Sequence, residues 1–156
     1  MQIRYAAMPT HEAQSFWLGG ADANGQRPER HVSDGDGVPC RHCLTDITKG
    51  DGYLILAHRP FPKPQPYAEI GPIFLHSEPC VRHPDSKAAP TLFLKRQHML
   101  LKGYSSDDRI VYGTGSIVPT REMDAGAAKI LEREDVAYVH VRSALNNCFW
   151  CRIERA

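Results

Sequence analysis

The run Cys40-Arg41-His42-Cys43 places two thiols three positions apart with a histidine between them. Three chemistries suit that spacing. It is half of a four-ligand zinc site, in which cysteines often come as pairs two to four residues apart. It is a redox pair, whose reactive thiol would sit at a helix N-terminus. Or it is two small side chains buried in a turn, since free cysteine is among the most often buried residue types. Cys148 and Cys151 repeat the spacing. Residues three apart on a strand point to opposite faces, so a strand at 148–154 would not aim both thiols at one ion. Neither pair is followed by a glycine. The residues allow a mixed site more readily: Cys40 and Cys43 with Cys80, or with a histidine such as His76 or His83, and zinc is the cofactor those donors would select.

A second group of polar residues falls where strands meet loops, a common place for binding groups. In Val136–Ser143, alternation puts Tyr138, His140 and Arg142 on one face and Val139 and Val141 on the other. His76 ends another apolar run, and Tyr67 and Glu69 lie in the loop before it. With Asn147 these form a candidate pocket of Tyr67, Glu69, His76, His140, Arg142 and Asn147 for a small polar or anionic molecule. Arginine there suits a carboxylate or phosphate. No catalytic residue is assigned, because there is no nucleophile elbow, Walker loop or dinucleotide fingerprint.

The elements that would position these residues follow from period and punctuation. Strands are expected at Ile3–Met8, around His31–Ser33, Tyr53–Arg59, Ile70–Ser77 and Val136–Ser143, with Cys148–Glu154 the last. Gln97–Tyr104 and Arg109–Val118 read as a hairpin turning at Ser105–Asp108. Thr10 would cap a short helix ended by Gly19-Gly20. Thr120 would cap a second, Arg121–Arg133, in which Met123, Ala127, Ile130 and Leu131 make one apolar stripe. Pro60, Pro62, Pro64 and Pro66 alternate and enforce a stiff extended loop. Strands and helices that do not alternate predict one α+β domain over residues 1–156. It would have a curved, mostly antiparallel sheet of about seven strands and two helices against it.

Composition narrows the class. Apolar residues make up 42% of the 156 and charged residues 24%, ordinary for a globular chain. The formal charge of +1 and the absence of a basic run predict no nucleic-acid partner. No apolar stretch approaches the roughly 20 residues of a membrane span. The opening residues lack the layout of a signal peptide, and five cysteines, an odd number, suit a reducing compartment. A cytoplasmic protein is expected.

Four blocks carry a resemblance: PCRHCLTDI, PYAEIGPIFLH, GYSSDDRIVYGTG and VAYVHVRSALNNCFWCRIERA. In order and spacing they are similar to the bacterial family called domain of unknown function 1203, over residues 38–156. The resemblance implies a compact bacterial protein and no assigned activity. It singles out Pro39, Cys40, Arg41, Pro66, Tyr67, Gly71, Pro72, Ile73, Phe74, Gly103, Tyr104, His140 and Cys148. It also implies that Cys43 and Cys151 mark a subgroup. Three functions follow: the small-ligand pocket, a zinc-stabilised interaction module using Cys40 and Cys43, and a thiol-dependent enzyme.

Overall fold

Alternating apolar residues become eight strands, all paired antiparallel, in two sheets. The computed structural model describes residues 1–156. In chain order the elements are β1 (Ile3–Ala6), α1 (Thr10–Trp17), β2 (Glu29–Val32), β3 (Gly52–His58) and β4 (Gly71–His76). They continue with β5 (His98–Tyr104), β6 (Ser116–Pro119), α2 (Met123–Leu131), β7 (Tyr138–Ser143) and β8 (Phe149–Arg155). The class is α+β, as the pattern predicts. The strands divide between two sheets rather than forming one, and the chain splits into two compact units. One comprises Met1–Ala6, Phe61–Ala68 and Pro84–Ala156; the other comprises Ala7–Pro60 and Glu69–His83. No helix is long and apolar enough to cross a membrane.

The first unit holds the five-stranded sheet, ordered β1-β8-β7-β5-β6. β7 is its middle strand, and five of its six residues are buried. Val141 pairs with Leu101 on one side and Cys151 on the other. The stripe Met123, Ala127, Ile130 and Leu131 is the buried face of α2. Gly103 is required here. A Cβ on it would lie 2.9 Å from Thr114 Oγ1 and 3.0 Å from Ile130 Cγ2. The Gly103 amide instead donates to Thr114 Oγ1 at 2.9 Å.

The second unit holds the three-stranded sheet, ordered β2-β3-β4. Leu54 and Leu56 pair with Leu75 and Ile73, and these four join Met8, Ala13, Val38, Cys40 and Ile47 in one core. Burying each leucine or isoleucine contributes about 2 kcal/mol. Pro72 is tolerated because β4 is an edge strand.

Three local expectations are corrected. Pro9 is the N-cap of α1, and the Thr10 hydroxyl faces His42 instead of capping. Thr120 opens a 3-10 turn, Thr120–Glu122, and Glu122 is the N-cap of α2; the Thr120 hydroxyl donates to the Arg96 carbonyl at 2.9 Å. The expected strand Arg109–Val118 is mostly loop. Only an isolated Tyr104–Ile110 bridge and the four residues of β6 pair with β5, because Gly113, at φ 85°, turns the chain between them.

Candidate metal centre

Val38 to Ile47 forms a small hairpin. The Ile47 amide donates to the Val38 carbonyl and the Cys40 amide to the Thr45 carbonyl, both at 2.9 Å. The turn closes with the Leu44 amide on the Cys40 carbonyl. Leu44 sits at φ 52°, a left-handed conformation that zinc-binding turns usually give to glycine. The missing glycine therefore does not prevent the turn; a buried leucine adopts the conformation instead. The hairpin docks on β4: the Arg41 amide donates to the Phe74 carbonyl at 3.0 Å, and Cys40 bridges Phe74.

That docking sets the cysteines beside the end of β4, where His76 stands, and beside Cys80 in the loop that follows. The ligand atoms of Cys40, Cys43, His76 and Cys80 all lie within 4.8 Å of one another. Cys40 Sγ is 3.9 Å from Cys80 Sγ, and Cys43 Sγ is 3.5 Å from His76 Nδ1. A tetrahedron with bonds of about 2.3 Å has edges of about 3.8 Å, so these separations match zinc coordination. The four residues could hold a metal ion.

Supporting hydrogen bonds orient the donors. His42, fully buried, presents Nδ1 to Cys80 Sγ at 3.2 Å and Nε2 to Thr10 Oγ1 at 3.0 Å. Burial holds the His42 pKa below its ordinary value, so the ring is neutral, with one donor and one acceptor nitrogen. Donation from Nδ1 to the sulfur, with the Thr10 hydroxyl donating to Nε2, satisfies both. The His76 amide donates to Cys40 Sγ at 3.4 Å, and Thr45 Oγ1 lies 3.1 Å from Cys43 Sγ. The Trp17 indole donates to the His76 carbonyl at 2.9 Å. Such partners tune a metal ligand as well as aim it.

The electrostatics of the cluster are those of a thiolate beside an imidazolium. Hydrogen bonds from Cys40 and Cys80 push the Cys43 thiol far below the ordinary thiol range. Hydrogen bonding to Cys40 and Cys43 raises His76 to about 10. The same cysteines push the Cys80 thiol up, since a second negative charge beside the first is unfavourable.

The other sequence candidates lie as follows. Cys148 and Cys151 belong to the first unit. Cys148 points at the Asn146 carbonyl and Cys151 is buried on β8, so neither joins the cluster. His83 also lies outside the four; its amide donates to the His42 carbonyl. Glu69 is half-buried in the second unit, which also holds His76. Tyr67, His140, Arg142 and Asn147 belong to the first unit. Arg142 Nη2 donates to His140 Nδ1 at 3.1 Å and Nη1 to the Asn147 carbonyl at 3.1 Å, so these three are brought together. The His140 ring is packed against Phe61, Tyr104, Tyr138 and Phe149, with centroids 4.6 to 5.2 Å away. The Tyr67 hydroxyl accepts from Tyr112 at 3.3 Å. The sequence reading gave His42 no role at the site and read its partner Thr10 only as a helix cap. The signal was present in the placement of His42 between the two cysteines.

No curated protein and no solved structure matches the chain. A family model described as "Protein of unknown function (DUF1203)" matches residues 37–155, and the chain belongs to that family.

Proposed function

We propose that this domain is a zinc-stabilised module, with the ion held by Cys40, Cys43, His76 and Cys80. The observation that carries the reading is the mutual 4.8 Å spacing of four donors of types that zinc prefers. Four protein ligands complete a tetrahedron and leave no open position, which is the pattern of a structural rather than a catalytic centre. The ion would tie the Val38–Ile47 hairpin, the end of β4 and the Cys80 loop, reinforcing the few backbone hydrogen bonds and the small core that join them. The test is metal analysis of protein purified without chelator. About one equivalent of zinc is expected in wild type and a strong loss in Cys80→Ser. Wild type that neither carries zinc nor takes it up on titration would overturn the reading.

Thiol chemistry is a second reading, favoured by one observation. The half-exposed Cys43 thiolate lies 3.5 Å from the His76 ring, an arrangement that activates nucleophilic cysteines. Iodoacetamide separates the two. Zinc-loaded protein protected at Cys43, with fast alkylation only after chelation, supports the metal centre; fast alkylation of protein at full zinc occupancy supports the thiol.

A further inference from the structure

The first unit carries a cavity that neither the metal centre nor the family description involves. It opens where β5 begins and the β7–β8 turn passes, and its volume is about 490 Å³. That size suits a small organic ligand. Trp150 lines it, backed by Phe93 with ring centroids 5.4 Å apart. Leu145 and Ile117 supply further apolar wall, and both are exposed, Leu145 at 95% and Ile117 at 60%. Exposed apolar side chains gathered around a concavity mark a binding surface more than scattered ones do.

The charge of the lining has one sign. Lys95 and Arg96 supply it, and no aspartate or glutamate lines the cavity. Arg96 is held in place. Its guanidinium carbon lies 5.4 Å from the centroid of the Trp150 ring. Its amide donates to the Phe93 carbonyl at 2.9 Å, and its carbonyl accepts from the Thr120 hydroxyl at 2.9 Å. A guanidinium over an indole offers a flat apolar body a surface to stack on, and offers a carboxylate a paired donor.

We propose that this cavity binds a small aromatic carboxylate, its ring against Trp150 and Leu145 and its carboxylate at Arg96 and Lys95. The probe is 2-naphthoate, with 2-naphthamide as the uncharged control and acetate as the control without a ring. The full zinc-supplemented chain is titrated and followed by the two tryptophan indole N–H resonances. Saturable binding of naphthoate is expected to move one indole signal, that of Trp150, and leave the other. Naphthoate should bind about tenfold more tightly than naphthamide, the gain from one charge-assisted hydrogen bond. Arg96→Gln should cut that preference severalfold, weakening naphthoate more than naphthamide. Leu145→Asp, at a side chain too exposed to matter for folding, should weaken naphthoate further by placing a like charge in the wall. No saturable shift with naphthoate, equal binding of naphthamide, or wild-type binding by both variants would each overturn the proposal.

Discussion

The cluster leaves His76 holding a proton at neutral pH, and that proton decides how zinc binds. Without metal, its pKa of about 10 lies above the ordinary histidine value near 6.5, so its contribution to stability is complete below about 6.5 and is lost as pH rises through about 10. Cys43 runs the other way. Its folded pKa is depressed, so its contribution is complete above the ordinary thiol value near 8.5 and is lost as pH falls toward the depressed value. Between about 6.5 and 8.5 the two slopes cancel, because the folded pair and the unfolded chain each hold one proton. The metal-free protein is therefore expected to show a flat stability plateau across that window in urea melts and to weaken on both sides. A steady slope through it would sink the ion-pair assignment. Zinc must displace the His76 proton and the raised Cys80 proton, so uptake at neutral pH releases protons and tightens as pH rises. Calorimetric titration in phosphate and in Tris, which differ in ionisation heat, should give clearly different heats; identical heats would mean that no proton leaves.

At the scale of elements, the Val38–Ile47 hairpin depends on one strained residue. Leu44 at φ 52° costs about 1 to 2 kcal/mol relative to a relaxed backbone. Its side chain is 2% exposed, and truncating a buried leucine costs about 2 to 5 kcal/mol. Burial wins that comparison. Leu44→Gly should thus destabilise the zinc-loaded protein by about 2 kcal/mol although it relieves the strain. Equilibrium urea denaturation measures it, and a variant as stable as wild type would show that the backbone conformation dominates. This residue also shows where sequence reading ends. The apolar alternation in Leu54–Leu56, Ile73–Leu75 and Val139–Val141 was legible, because each strand writes its own period. The stripe of α2 was legible for the same reason. The left-handed Leu44 was not, since propensity assigns that conformation to glycine and only tertiary burial reassigns it. Nor was the burial of His140 and Arg142. Their face reads as polar, but β7 is the middle strand, and which strand lies in the middle is a matter of long-range pairing.

For the molecule as a whole, the division of strands between two sheets is the feature that no local pattern carries. The three-stranded sheet pairs β2, β3 and β4 in chain order, whereas β1 pairs with β8 from the opposite end of the chain. The metal ligands follow the same logic: Cys40 and Cys43 share a motif, but His76 and Cys80 reach them only through the docking of Cys40 on Phe74. A zinc ion bound there at free concentrations ~1,000 times its dissociation constant would stabilise the fold by about 4 kcal/mol. For a chain of this length that is roughly 8 to 16 °C in Tm. The stabilisation should be local before it is global, because proteins open in cooperative pieces. Chelation is therefore expected to speed amide hydrogen exchange at Cys40, Leu44 and Ile47, and at the His83 amide held by the His42 carbonyl. The β3–β4 ladder, from Leu54–Leu75 to Leu56–Ile73, should follow. The amides of Val139, Val141 and Ile153, inside the five-stranded sheet, should keep their protection. If exchange rose equally at both sets, the ion would be acting on the cooperative unfolding of the entire chain. The picture of a clamp on three local segments would then fail, even with zinc present at full occupancy.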